Sequence, residues 1–404
     1  MSQQQRRLSV IAAAMVSRDG GRTCGTATTV KRNNSSTATS SAPSSPPAGS
    51  PMLWQFCPRG QDTRYYHHIC GSDPLSAERS LPVIVLAGKH DGPTLLVLAG
   101  EHGDEYEGMT AIHNLAASMN LDELHGTVVC VVCCSIDSYL ADNRWAREDG
   151  KNMARCYPGL ADGTLTERAT FTIQSDFIAA TVHAAQQQEH LVSKKPTMMV
   201  ALHTAGPTCS EVTCVAYNIY AENAQMTATQ REAALAMALP SMLVWGHAAD
   251  TARFIRTAVG AEDSGRTPMW GGYLEQVPAL YMETTHMRGG EEEYLHSLRL
   301  LLSYLGMTTN DYEFKGAGCP RMFRESTALG SGHVQGGPYN TPHSGLFRPA
   351  VQVWAEVDRG DLLGTVYSLL GEPLFECQAV SAGVVIVINH MRHVQAGYFL
   401  AVVI

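Results

Sequence analysis

This chain of 404 residues has few charged side chains, no net positive charge and no long apolar run. Charged residues make up 17% of the chain, and acidic residues outnumber basic ones so that the formal net charge is −9. Proteins that bind nucleic acids typically have a basic domain or stripe, so this balance argues against that class. The longest apolar runs, such as Val10–Val16 and Val128–Cys134, span 7 residues, whereas a transmembrane helix needs about 20. The sequence therefore predicts neither a nucleic-acid partner nor a membrane-spanning segment.

The 11 cysteines are an odd number, and several of them lie inside apolar runs. Cys130 and Cys133 form a CxxC pair, but valines flank them and no second such pair accompanies them. We interpret these two cysteines as buried strand residues rather than metal ligands. Scattered unpaired cysteines are typical of a reducing compartment, which predicts a cytoplasmic protein.

Residues 1–51 differ in composition from the rest of the chain. They contain 10 serines and 6 basic residues but a single acid, Asp19. We predict a disordered, basic, Ser/Pro-rich tail, because such a composition cannot bury a core. A segment rich in arginine and serine and poor in acids is also typical of a mitochondrial presequence, so a mitochondrial location stays open beside the cytoplasmic one.

Up to about residue 312, short apolar strands alternate with helical patterns. Residues 81–87, 94–99 and 127–134 are predicted strands, and the last is a continuous apolar run typical of a strand buried on both faces. The alternation predicts a three-layer α/β domain over residues 52–312. Gly-punctuated β segments then predict a second, all-β domain of barrel or sandwich type over residues 313–404.

Metal-ligating residues follow two of the predicted strands. The strand at 94–99 is followed by His102 and Glu105, and the strand at 197–202 is followed by His203. Open α/β sheets bind ligands at the carboxyl ends of their strands, and two side chains three residues apart on a tight turn can reach one cation. Two histidines and one glutamate, with a fourth position open for water, are the pattern of a catalytic zinc site. The sequence therefore predicts one zinc ion per chain at these three residues.

A further predicted strand, at 279–283, ends in the carboxylate of Glu283. Zinc activates water, and a nearby glutamate can take a proton from that water and return it to a leaving amine. The alternative interpretation of Glu283 is a solvated strand-end carboxylate, and the residues alone leave both open.

The segment Leu98-Ala-Gly-Glu-His-Gly-Asp-Glu-Tyr-Glu-Gly108 resembles the signature of the succinylglutamate desuccinylase/aspartoacylase family of zinc-carboxypeptidase-like hydrolases. The similarity continues through Arg155-Cys-Tyr-Pro-Gly159, the strand-His-Thr element at 203, the strand-Glu element at 283 and the β domain, over about 320 residues. The resemblance implies a mixed sheet of the zinc-carboxypeptidase type. It also implies that the three residues named above bind zinc and that Glu283 is the general base.

The resemblance also assigns two arginines. Arg147, eight residues before Arg155, matches the arginine that polarises the scissile carbonyl, and Arg155 matches the arginine that pairs with the substrate carboxylate. Two positions depart from the family pattern. Ala154 stands where an asparagine usually precedes the second arginine, and Ala201 stands where an aspartate usually lies two residues before the second histidine. That aspartate can anchor a metal-bound histidine, and losing such an anchor typically weakens metal affinity or activity 10–100-fold.

Together these features predict a zinc-dependent deacylase that hydrolyses the amide bond of a small N-acylated amino acid or amine, of acetyl or succinyl type. The residues at 103–108, Gly-Asp-Glu-Tyr-Glu-Gly, resemble those of the family branch that deacetylates diamino-acid derivatives. One alternative is a zinc carboxypeptidase acting on small peptides, which the β domain disfavours because in the deacylase family that domain narrows the entrance. The other is a zinc-binding member without catalytic activity. The predicted partner is the small substrate, and the sequence leaves open whether the chain forms a homo-oligomer.

Overall fold

The computed structural model describes residues 27–30, 53–70, 79–182, 196–251, 265–284, 289–308, 319–329 and 338–404. The strands in chain order are β1 (Ala27–Val30), β2 (Gln61–His68), β3 (Ser80–Ala87), β4 (His90–Ala99), β5 (His125–Val131), β6 (Met198–Thr204), β7 (Cys209–Glu211), β8 (Cys214–Ile219), β9 (Leu243–Ala248), β10 (Ala279–Thr284), β11 (Met322–Leu329), β12 (Gly345–Pro349), β13 (Glu356–Val357), β14 (Leu362–Tyr367), β15 (Pro373–Gln378), β16 (Gly383–Asn389), β17 (Arg392–Val394) and β18 (Ala401–Val403). The α-helices are α1 (Glu107–Ser118), α2 (Ile136–Leu140), α3 (Leu165–Ile173), α4 (Ala224–Met237), α5 (Pro268–Leu274) and α6 (Gly290–Tyr304).

A ten-stranded mixed sheet forms the centre of the fold, with the strand order β1-β2-β3-β5-β4-β6-β10-β8-β9-β11. Its middle strands, β5, β4, β6 and β10, run parallel to one another. The pairs β2–β3, β3–β5 and β8–β10 are antiparallel. Because β4, β6 and β10 are parallel and adjacent, their carboxyl ends lie at one edge of the sheet, where open α/β sheets place ligands.

Both faces of the sheet are covered, which explains the continuous apolar runs in its middle strands. In β4, Leu95 and Val97 pack on one face, and Leu96 and Leu98 pack on the other; all four are fully buried. Helices α1, α4 and α6 contribute to the first face, while α3 and α5 contribute to the second. The predicted mixed α/β fold, with helices on both faces of a sheet, is therefore confirmed.

The segment after β11 forms two small antiparallel sheets, with the orders β15-β14-β12-β17 and β13-β16-β18. They enclose a core of their own that contains Phe347, Leu363 and Val385. Strand β7 pairs with β16 and so connects this segment to the first part of the chain. Strand β11 lies beyond the predicted boundary at 312 yet extends the large sheet by pairing with β9. The boundary and the barrel-or-sandwich description stay predictions.

Strand β1 lies inside the segment that composition assigns to a disordered tail. It pairs antiparallel with β2, with Ala27 opposite His67. An edge strand needs only backbone pairing, so its polar composition does not prevent it. The remainder of residues 1–51 lies outside the described residues.

Cys130 lies in β5 and Cys133 lies two residues beyond its end, and both are buried free thiols, as the sequence predicts. Among the described residues, no helix combines the length and the apolar character that crossing a membrane requires.

We expect Leu98→Ala to lower the free energy of unfolding by about 2–5 kcal/mol, because it leaves a cavity in the middle of the sheet where Leu98 is fully buried. Leu369→Ala is the matched control, since that leucine is 95% exposed and should change stability by less than about 0.5 kcal/mol. Urea denaturation of the two variants measures both effects. Equal stability of Leu98→Ala and the unmodified chain would contradict the described packing.

Candidate metal centre

Three buried side chains meet at the carboxyl ends of β4 and β6. His102 and Glu105 lie between β4 and α1, after a turn in which Gly100 adopts φ +64°, and His203 lies near the end of β6. Nδ1 of His102 lies 2.7 Å from Oε1 of Glu105, and Nδ1 of His203 lies 3.1 Å from Oε2 of the same carboxylate. The two Nδ1 atoms are 3.3 Å apart. The structure therefore brings the three sequence-predicted ligands together.

This arrangement fits a small dication. The three side chains are almost fully buried, and their ligand atoms all lie within 4.8 Å of one another. Two imidazole nitrogens and a carboxylate oxygen form the donor set of a three-ligand zinc site. Since both imidazoles present Nδ1 to the carboxylate, one cation among these atoms could be ligated by all three residues.

The far nitrogen of each imidazole has its own polar partner, which sequence reasoning missed. Nε2 of His102 lies 3.0 Å from Oδ1 of Asn152, an oxygen that also accepts a hydrogen bond from the backbone N–H of Ala154. Nε2 of His203 lies 2.8 Å from Oε2 of Glu101, which is 1% exposed. Glu101 directly precedes His102 in sequence, and this adjacency was the one signal that could have identified it.

Neighbouring carboxylates favour the protonated, positively charged form of His203. Burial by itself would lower the pKa of His203, but hydrogen bonds to Glu101 and Glu105 outweigh burial and raise it to about 10. Burial opposes ionisation of Glu105, yet its contacts with the two histidines hold its pKa well below the usual range. Burial, reinforced by the Arg144 guanidinium, lowers the pKa of His102 to about 4. The carboxylates of Glu101 and Glu105 thus flank His203, and their negative charge favours a bound cation at this place.

Glu283 lies in β10 directly beside His203 in the parallel register. Its Oε2 atom is buried and has no hydrogen-bond partner among the described residues. Burial raises the pKa of Glu283 to about 7, although the nearby charge of His203 opposes this shift. The structure therefore places the predicted base at the same edge of the sheet, with a free oxygen atom and a pKa suited to exchanging protons near neutrality.

The structure places a different arginine at the cavity from the one that the resemblance assigns. Arg147 is exposed and does not line the cavity, whereas Arg144 does, with Nη1 3.2 Å from Oε1 of Glu105. The physical reason is local: the backbone N–H of Gly103 donates to the carbonyl oxygen of Asn143, which ties residue 144 to the loop that contains His102. The two arginines lie three residues apart in a segment of turns, so spacing alone could not distinguish them.

Arg155, which the resemblance assigns to the substrate carboxylate, lines the same cavity and is 8% exposed. Its Nη1 donates to the carbonyl oxygen of Ala154 at 2.7 Å. Burial and the neighbouring charge of Arg144 lower the pKa of Arg155 to about 10, so its guanidinium remains charged near neutral pH. The cavity thus has a positively charged side that suits an anionic group.

The cavity is small and open to solvent, and its empty space together with the mouth amounts to about 360 Å³. It is lined by His102, Arg144, Ala154, Arg155, His203, Thr267, Pro268, Met269, Tyr281 and Glu283. The hydroxyl of Tyr281 lies 2.9 Å from Nε2 of His247, outside this lining. Two of the three candidate ligands therefore face the same small cavity as the two arginines and Glu283.

Comparison with known proteins agrees with this geometry. The sequence model of the succinylglutamate desuccinylase/aspartoacylase catalytic domain matches residues 91–262. A curated relative, the N-alpha-acetyl-L-2,4-diaminobutyric acid deacetylase of Halomonas elongata, is 36% identical over 101 residues, which span 24% of this chain and 29% of that protein.

Two solved structures share the fold. The product-bound ectoine utilization protein EutE (DoeB) of Ruegeria pomeroyi is 22% identical with a TM-score of 0.68, over 86% of this chain and 97% of that one. A succinylglutamate desuccinylase/aspartoacylase of Rhodobacter sphaeroides is 21% identical with a TM-score of 0.67, over 85% of this chain and 95% of that one. At these identities the two structures establish the fold. Residues 91–262, which make up less than half of the chain, are similar to the catalytic domain of the succinylglutamate desuccinylase/aspartoacylase family.

Proposed function

We propose that this protein is a zinc-dependent deacylase that hydrolyses the amide bond of a small N-acylated amino acid or amine, of acetyl or succinyl type. The observation that carries the proposal is the convergence of Nδ1 of His102, Nδ1 of His203 and the carboxylate of Glu105 within 4.8 Å of one another. With Glu283 beside His203, these side chains would supply the metal ligands and the base of metal-assisted amide hydrolysis.

His102, Glu105 and His203 would hold the zinc ion. When bound, zinc supplies Lewis-acid chemistry: it lowers the pKa of water to near 7 and polarises a carbonyl oxygen. Three protein ligands leave a further position open, which distinguishes a catalytic from a structural site.

Glu283 would transfer the proton. Its unpartnered Oε2 accepts a proton from the attacking water and then delivers it to the amine nitrogen as the C–N bond breaks. The products are a carboxylate and a protonated amine, which receives both protons of the water, so atoms and charges balance without a further reactant.

Arg144 and Arg155 would position the substrate. The guanidinium of Arg144 lies next to Glu105 and His102, where it can stabilise negative charge developing on the acyl oxygen. Arg155 is buried in the cavity wall, and its planar fork of donors suits a substrate carboxylate. Ala154, on the same wall, leaves space where a polar side chain could otherwise contact the substrate.

The name of the Halomonas elongata relative supports an N-acetylated diamino acid as the preferred substrate. A panel of N-acetyl and N-succinyl amino acids, with blocked and free dipeptides beside it, separates deacylation from carboxypeptidase action. Release of amine from the acyl compounds supports the proposal. Cleavage of the dipeptides alone, or of no compound with zinc in place, would contradict it.

We expect Glu283→Gln to lower kcat about 10²–10⁴-fold, because the amide cannot accept the proton. Zinc content should stay unchanged, since Glu283 is not among the proposed ligands. Amine release and metal analysis of the same preparation measure both quantities. Activity within a few-fold of the unmodified enzyme would exclude Glu283 as the base.

We expect Arg144→Ala to lower kcat about 10²–10³-fold, the usual effect of removing one group that stabilises an oxyanion. Arg147→Ala is the matched control and should leave kcat unchanged, because Arg147 is exposed outside the cavity. Steady-state kinetics on the best substrate distinguish the two. The reverse pattern would restore the assignment of Arg147 and overturn the structural one.

The pH profile of kcat/KM should fall on the acidic side. Glu283 has a pKa raised to about 7, so its carboxylate becomes protonated and inactive as a base when the pH decreases through that value. A bound cation lowers the pKa of a nearby carboxyl, so we expect the acidic limb at or below about pH 7. A profile that stays flat down to pH 4 would contradict the role of Glu283.

A further inference from the structure

Glu101 lies behind one of the two histidines of the metal centre. Nε2 of His203 is 2.8 Å from Oε2 of Glu101, whereas Nδ1, on the other side of the ring, is 3.1 Å from Glu105. Glu101 is 1% exposed, and apart from this ion-pair contact its Oε2 has no hydrogen-bond partner in the described part of the chain. A carboxylate is costly to bury unless it is paired, so this imidazole is the partner that its position requires.

The second oxygen of Glu101 is fixed by a different residue. The hydroxyl of Tyr157, which is fully buried, donates to Oε1 of Glu101 at 2.6 Å. Tyr157 therefore holds one end of the carboxylate while the other end faces His203. This arrangement restrains the direction of the carboxylate without neutralising its charge, since a tyrosine hydroxyl is uncharged near neutral pH.

Among the described residues, no other carboxylate pairs with Nε2 of His203. Ala201, two residues before His203 and on the same face of β6, has no polar side-chain atom and is fully buried. Glu105, the other carboxylate in contact with His203, approaches Nδ1 and not Nε2. The contact with Glu101 is thus the one that can determine which nitrogen of His203 carries the proton.

We propose that Glu101 is a positioning residue of the metal centre, which accepts the N–H of His203 Nε2 and thereby directs the Nδ1 lone pair of that ring toward the metal. This inference rests on the proposed function, because it takes His203 as a zinc ligand. A carboxylate partner fixes the tautomer and orientation of a ligating imidazole and makes it a stronger donor.

The two histidines would then differ in the charge of the group that contacts Nε2. His102 contacts the neutral amide oxygen of Asn152 at 3.0 Å, whereas His203 contacts a carboxylate at 2.8 Å. Charge-assisted hydrogen bonds are roughly twice as strong as neutral ones, so His203 should be the ligand whose affinity depends more on its partner.

The test measures the dissociation constant of zinc by chelator competition, without substrate, in the full chain. Glu101→Gln removes the charge with little change of shape and should raise the dissociation constant about 10–100-fold. Tyr157→Phe removes the donor to Oε1 and should raise it by a smaller factor. Asp176→Asn is the matched control, because it breaks a second carboxylate–histidine pair, 2.9 Å from Nε2 of the buried His67 and away from the centre, and should leave zinc affinity unchanged.

A spectroscopic readout separates positioning from a general effect on folding. In the cobalt-substituted protein, the visible absorption bands of Glu101→Gln should shift relative to the unmodified chain, whereas those of Asp176→Asn should not. If Glu101→Gln does not fold, Tyr157→Phe decides the outcome, and an unchanged zinc affinity in that variant overturns the proposal.

The results distinguish this inference from the proposed function. Tight zinc binding that is equal in the unmodified chain, Glu101→Gln and Tyr157→Phe would overturn the role of Glu101 and leave the deacylase proposal intact. Absence of zinc binding in the unmodified chain would overturn both.

Discussion

The parallel alignment of β4, β6 and β10 is the constraint on which the site depends. The hydrogen-bond ladder between β6 and β10 sets Glu283 opposite His203, and the ladder between β4 and β6 ends just before the turn that presents His102 and Glu105. The ends of three adjacent strands therefore hold the three candidate ligands and Glu283 in place. Rigid elements position such groups more accurately than loops do, and the apolar layers on both faces of the sheet keep these strands fixed.

Burial gives this edge of the sheet its chemical character. Carboxylates and imidazoles removed from water are stable only when they are paired. The contacts between His203, Glu101 and Glu105 satisfy that requirement and leave Oε2 of Glu283 without a partner among the described residues. A base that lacks a competing partner is available to the substrate and to water, and the same burial raises its pKa toward neutrality.

The parts of the site that lie at strand ends could be predicted from the sequence. His102, Glu105, His203 and Glu283 follow or end apolar runs whose pattern identifies strands, and parallel strands bring their ends to one edge. Arg144 lies in a segment of turns, which has no periodicity to identify the side of the chain facing the cavity. The direction of Glu101 depends on the positive φ of Gly100, which a residue pattern does not reveal.

Prediction of the fold from the sequence has the same limit: local patterns identify some strands but not the pairing of distant segments. Strands β4, β5, β6 and β10 were predictable because each is a local apolar run, whereas β1 and β11 join the sheet through pairing with residues distant in sequence. Helix α3 is followed directly by a π-helical turn, Gln174–Ile178, that periodicity alone does not distinguish from an α-helix.

Reversible dependence of amine release on zinc tests the central claim most directly. The measurement compares the hydrolysis of N-acetyl and N-succinyl amino acids before chelation, after complete removal of metal, and after one equivalent of zinc is restored. We predict that activity disappears with the metal and returns with a single zinc ion per chain. Undiminished hydrolysis by the metal-free chain would contradict the account, as would a failure to hydrolyse any compound after zinc has bound.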